Sequence, residues 1–120
     1  MRDLYIPIMY KVYLISCGQK EDKKYKIGYT RKPIIERVKQ LKTGNHEELI
    51  VEQVFDSKWG SKIEAILHRN YKTQKISGEW FDLSQDQVDK FLVECQNLEH
   101  FFEDTLKNST FNNPKTIINL

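Results

Sequence analysis

The chain has 120 residues, 39% of them apolar, with a formal net charge of +2. That length suits one domain with a core of its own and leaves no room for a second. Two cysteines without CxxC spacing, Cys17 and Cys95, exclude a zinc ribbon or a disulfide framework, and no run approaches the ~18 apolar residues that would span a membrane.

Residues 1–9, with Asp3 and Pro7, lack the basic region and apolar run of a secretory leader and read as a short extension. Free thiols and no leader point to the cytoplasm, the host cytoplasm if the chain is viral. Tyr10 to Cys17 is β-branched and aromatic and predicts a strand. Gly18 to Lys24 is polar and reads as a hairpin loop, and Tyr25 to Thr30 as the returning antiparallel strand. Pro33 sits near a helix start with Thr30 or a neighbour as cap, and Ile34, Ile35, Val38 and Leu41 recur at helical spacing. Gly44 is a natural left-handed cap for that helix. Leu49 to Phe55 predicts a third strand. Ser61 to Tyr71 predicts a second helix with Ile63, Ile66, Leu67 and Tyr71 on one face. Ser77 to Phe81 reads as a turn leading into a short extended piece. Ser84 with Gln87 forms a capping-box pattern for a third helix running to about Lys107, with Val88, Phe91, Leu92, Cys95, Leu98 and Phe102 on its apolar side. Residues 108–120 read as a loosely ordered tail. The order ββαβαα implies an α+β domain over 10–107, with a three-stranded antiparallel sheet flanked by helices.

Charge is unevenly distributed. Through Asn45 there are eleven Lys and Arg against four Asp and Glu, and the balance reverses afterwards. A basic front half is what a polyanion would seek, and a solvated lysine-rich surface would look the same. Lys24, Arg31, Lys32 and Lys39 are the candidate DNA contacts.

Certain residues recur at telling intervals. Twelve residues after Tyr13 comes Tyr25-Lys26-Ile27-Gly28, and nine after Gly28 comes Arg37. Glu64 follows on the second helix, His68 one turn later, and then Gly78-Glu79-Trp80-Phe81. On a helical projection Arg37 falls about 60° from Ile34 and Glu64 about 100° from Ile63, each just off its apolar stripe. Such boundary positions reach a cleft without burying a bare charge.

This ordered set resembles the GIY-YIG nuclease superfamily, most closely its short branch found in phages, large DNA viruses, bacteria and fungi. The resemblance covers about Tyr10 to Leu83. It implies a three-stranded sheet with a shallow site on one face, and a nuclease that cuts DNA phosphodiesters. Tyr13 would help activate a water, Arg37 would steady the scissile phosphate, and Glu64 would be the sole protein ligand of one Mg²⁺ or Mn²⁺ ion. Lys11-Val12-Tyr13 lacks the glycine of the first motif, and Lys26 stands where most members place tyrosine. Leu41 occupies a position that in many relatives is His, Lys or Tyr, which leaves His68 as the candidate acid/base group. The residues permit these roles. A hard cation takes oxygen ligands and keeps its waters, and a guanidinium can grip phosphate with two donors. Lys26 and Arg37 would be the cations that lower the Tyr13 phenol pKa.

Blander readings stand beside these. Tyr13 could be a cross-strand aromatic, Arg37 and Glu64 solvated helix charges, His68 a structural histidine, and Gly78 to Phe81 a turn with two core aromatics. A zinc site on Glu64 and His68 finds no ligand-spaced partner in His46 or His100. The alternative function is a non-catalytic nucleic-acid-binding or protein-interaction module. The expected partner is DNA and no membrane, with the chain a monomer or transient homodimer.

Overall fold

A computed structural model describes residues 7–43 and 47–108, with side chains to residue 106. The expected Gly44 cap, residues 1–6 and the tail beyond residue 108 lie outside the described residues.

The elements are β1 (Tyr10–Cys17), β2 (Lys24–Thr30), α1 (Ile34–Lys42), β3 (Leu49–Ser57), α2 (Gly60–Asn70), β4 (Lys75–Ser77), β5 (Trp80–Phe81), α3 (Gln85–Asp89) and α4 (Phe91–Asn108). The sheet has five strands in the order β3-β1-β2-β5-β4, with antiparallel neighbours throughout. The expectation of three strands is therefore corrected. Gly78 takes a left-handed φ of 56°, which a glycine adopts without strain, and the chain doubles back so that Trp80 and Phe81 pair with β2. A run of only two residues carries no alternation for a sequence pattern to show.

The inner strand β1 is buried from Val12 to Cys17, on both faces. Val12 and Leu14 join Tyr25, Ile27 and Phe81 on one face, packed by Ile63, Leu67 and Tyr71 of α2, Val88 of α3, and Phe91 and Cys95 of α4. Tyr13, Ile15 and Cys17 lie on the other face with Leu49, under Ile34, Val38 and Leu41 of α1 and against Trp80. Ile35, expected on the α1 stripe, is instead 69% exposed; it projects about 100° from Ile34, at the far margin of the stripe from Leu41, and only Ile34, Val38 and Leu41 pack on the core. Cys17 and Cys95 are both free and buried.

Pro33 is the N-cap of α1 and lies just outside the helix, with ψ 142°. Thr30 does not cap the helix as expected; its Oγ1 accepts from the Lys32 N–H at 3.0 Å and closes the turn before it. The capping box at Ser84 and Gln87 forms with both of its hydrogen bonds. The single third helix is corrected to two, because the backbone leaves helical geometry at Lys90, with ψ 2°. Val88 and Phe91 both reach the core across that break.

These contacts separate packing from capping. Leu67→Ala, at a fully buried position, is expected to cost about 2–5 kcal/mol through the lost contacts and the cavity. Ser84→Ala is expected to cost about 1 kcal/mol. Urea unfolding of the two variants beside the wild type checks the ratio; equal losses would show that the α2 face is not the main core.

Candidate functional site

Tyr13 and Gly28 are directly opposed across the β1–β2 ladder. An added Cβ at Gly28 would lie 2.4 Å from Tyr13 Oη and 2.6 Å from Cζ, far inside contact distance. The ring therefore leans across β2, through space that only glycine leaves empty, and its oxygen lies over β2. There Arg37 Nε donates to Tyr13 Oη at 3.2 Å, from one turn into α1. Arg37 Nη1 makes a longer contact with Gln40 Oε1 at 3.4 Å.

The opposite face contributes through the edge of β2. Because β5 is so short, the β2–β5 ladder covers only Tyr25 and Lys26, and the last bond to β2 is Ile27 N–H to Glu79 O at 3.2 Å. The Ile27 carbonyl is met instead by a side chain, with His68 Nε2 at 2.7 Å. A carbonyl oxygen only accepts, so Nε2 carries a proton. The same nitrogen lies 3.2 Å from Glu64 Oε2, one turn earlier on α2. Phe81 buttresses the imidazole edge-on, with ring centroids 4.8 Å apart. The Glu64 side chain is only 12% exposed. Burial pushes its carboxyl above the usual range; Glu79 pushes the same way, while His68 and Lys26 pull it down.

Lys26 completes the group. Its Nζ lies 2.9 Å from Glu79 Oε1 and 5.5 Å from the centroid of the Trp80 ring. The Lys26 side chain is 13% exposed. One carboxylate oxygen each from Glu64 and Glu79 and one imidazole nitrogen from His68 lie within 4.8 Å of one another.

The structure thus brings together Tyr13, Lys26, Arg37, Glu64 and His68, five side chains from β1, β2, α1 and α2. Both Glu64 and Glu79 lie near enough to act on the Tyr13 phenol. One electrostatic expectation is overturned. Tyr13 is fully buried, and its phenol pKa is raised: desolvation outweighs the hydrogen bond and charge of Arg37, and Glu79 and Glu64 add to the rise. Lys26 does not offset this, because its charge is taken up by Glu79.

Glu79 is the site residue that the sequence reading missed. Its only signal was a carboxylate between a turn glycine and two aromatics, and its position depends on β5 pairing with β2. The zinc reading also changes: the third group beside Glu64 and His68 is Glu79, and Nε2 of His68 has no free lone pair. His100 is exposed, and His46 lies outside the described residues.

The four expected DNA contacts are all exposed but do not form one cluster. Lys24 begins β2, and Arg31 and Lys32 follow its far end, about 20 Å away at strand rise. Lys39 is in α1, and Lys32 faces Glu36 at 4.0 Å.

A family model described as the T5orf172 domain matches residues 10–96. No curated protein and no solved structure matches the chain.

Arg37 opposes the effect of burial on Tyr13, so Arg37→Met is expected to raise the phenol pKa further. An NMR titration of ring-labelled tyrosine reads the shift, and an unchanged or lowered Tyr13 transition would refute the assigned contact.

Proposed function

The chain belongs to the T5orf172 domain family, and from that membership together with the site geometry we propose that it is a metal-dependent endonuclease of GIY-YIG type that hydrolyses DNA phosphodiesters. The family is phage-associated and related to nuclease folds. The observation that carries the reading is Arg37 Nε bonded to Tyr13 Oη, with the largely buried carboxylate of Glu64 near enough to act on that phenol.

Each residue has a physical role. Arg37 presents its remaining N–H groups to phosphate oxygens, which a planar guanidinium can meet with paired donors. Tyr13 Oη accepts from Arg37 and has a second acceptor position, which would turn a water toward phosphorus once DNA binding opens the packing over this fully buried ring. His68, with its proton directed at Ile27 O and Glu64, orients that carboxylate. Glu64 offers hard oxygen donors, which fit Mg²⁺ or Mn²⁺. One such ion would supply Lewis acidity toward the phosphorus and the leaving 3′-oxygen. Water attacks phosphorus as the bond to the 3′-oxygen breaks, giving a 5′-phosphate and a 3′-hydroxyl. The phenol takes the water's proton only when ionised, a state that Arg37 favours and burial opposes.

That opposition is the observation that favours a second reading, a nucleic-acid-binding module without hydrolysis. Plasmid nicking separates the two. Wild type is expected to nick with Mg²⁺ or Mn²⁺ and not with EDTA. Arg37→Ala and Glu64→Ala are each expected to lose about 100-fold or more. DNA binding without nicking by the wild type would favour the second reading, and full activity in Glu64→Ala would remove this site from the account. Because the Tyr13 phenol titrates above its ordinary value, the nicking rate should climb with pH from neutrality upward. A pH-independent rate would argue that the phenol does not receive the proton.

A further inference from the structure

We propose that Glu79 is a second carboxylate ligand for the divalent ion, and that Lys26 is an internal cation holding Glu79 until ion and DNA arrive. The proposal rests on the metal-dependent reading of the site and adds to it a ligand and an exchange.

Three groups of ligating type, from Glu64, His68 and Glu79, lie within 4.8 Å of one another, a spacing at which one ion can touch all three. The His68 Nε2 proton is directed at Ile27 O at 2.7 Å, so that nitrogen is not a donor to a metal. What remains is two carboxylates, one fixed on α2 and one on the β4–β5 turn, an all-oxygen set suited to a hard cation. Two carboxylates this close repel unless a cation lies between or beside them. At present the compensating charge on Glu79 is Lys26 Nζ, at 2.9 Å. Lys26 belongs to the rigid ladder of β2, whereas Glu79 follows the turn glycine Gly78. The Glu79 side chain is also 41% exposed against 13% for Lys26, so the carboxylate has the more open space in which to turn toward an ion.

A divalent ion carries twice the charge of Lys26 and attracts both carboxylates. Once it occupies Glu79, the ammonium of Lys26 loses its partner. Trp80 keeps it in place by a cation–π contact. It lies on the same sheet face as Tyr13, where an incoming phosphate supplies the replacement anion. Lys26 thus competes with metal in the absence of DNA and assists binding in its presence. This gives a reason for a lysine where relatives of the resembling family place tyrosine.

The test is Mn²⁺ binding followed by the loss of the free-ion EPR signal, with and without a phosphorothioate duplex. Glu79→Gln is expected to weaken Mn²⁺ binding about ten-fold or more. Glu79→Asp, which keeps the charge and shortens the arm, should also weaken it. Lys26→Met should tighten binding several-fold without DNA, and Asp56→Asn, on the far edge of the sheet, should leave it unchanged. Glu79 is 41% exposed in its side chain, so these variants should fold, which thermal melting checks. Wild-type affinity in Glu79→Gln with a loss in Glu64→Gln would overturn the second ligand and leave the nuclease reading standing. A loss in Glu79→Gln with none in Glu79→Asp would mark a field effect and overturn ligation. Unchanged or weaker binding by Lys26→Met would overturn the exchange. No Mn²⁺ binding by wild type, with or without duplex, would overturn this proposal and the metal-dependent reading together.

Discussion

The site depends on a missing side chain. Tyr13 lies in the middle of a strand buried on both faces, where a phenol would ordinarily pack out of reach of anything polar. Opposite it stands Gly28, and the ring crosses β2 through the volume a Cβ would fill. That displacement carries the oxygen one strand toward the edge of the sheet, within reach of Arg37. The glycine needs no special backbone angle here. Its constraint is close approach, one of the two reasons a glycine is irreplaceable.

A second constraint joins the two faces. Chemistry assembled on a sheet normally stays on one side, because the ladder separates the helices above from those below. Here β5 ends after two residues, so β2 has an edge along its second half. His68 comes from the α2 face and takes the Ile27 carbonyl that a longer strand would have paired. The same truncation places Glu79 at the point where its backbone oxygen closes the ladder and its side chain meets Lys26. The short hairpin thus creates the opening and furnishes a residue for it.

Much of this was legible beforehand, and the reasons are specific. The strands β1 to β3 and the helices carry long apolar patterns whose period sets their type, so α+β and most boundaries follow from spacing alone. The capping box at Ser84 is a local hydrogen-bond pattern written in two letters, and it forms as written. Arg37 and Glu64 fall at stripe boundaries, which is a property of helical geometry and needs no tertiary knowledge. What was not legible depends on pairing between distant segments. The strands β4 and β5 are too short to show alternation, and with them went the five-stranded sheet and Glu79. The sign of the Tyr13 shift was missed because cations near a phenol can be counted along a sequence, whereas the depth of its burial cannot. Ile35 failed for a related reason: a helical projection gives an angle but not how wide a face the partner covers.

The charges of the site show why these features belong together. An unpaired charge in a largely buried site is costly, and each charge here has an internal partner: Lys26 with Glu79, the Glu64 carboxylate with the His68 N–H, and Arg37 on the Tyr13 oxygen. The first pair joins opposite signs and the second gives a carboxylate an N–H donor, whereas the third leaves a full positive charge against a neutral phenol. Arg37 is therefore the group with electrostatic capacity to spare in the resting site, and a phosphate would be drawn to it first. A phosphate settling there would add negative charge near Glu64 and Glu79 and so raise the attraction of both for a divalent cation. In the proposed nuclease, anion and cation would thus favour each other's arrival, and the site would stay quiet until both are present.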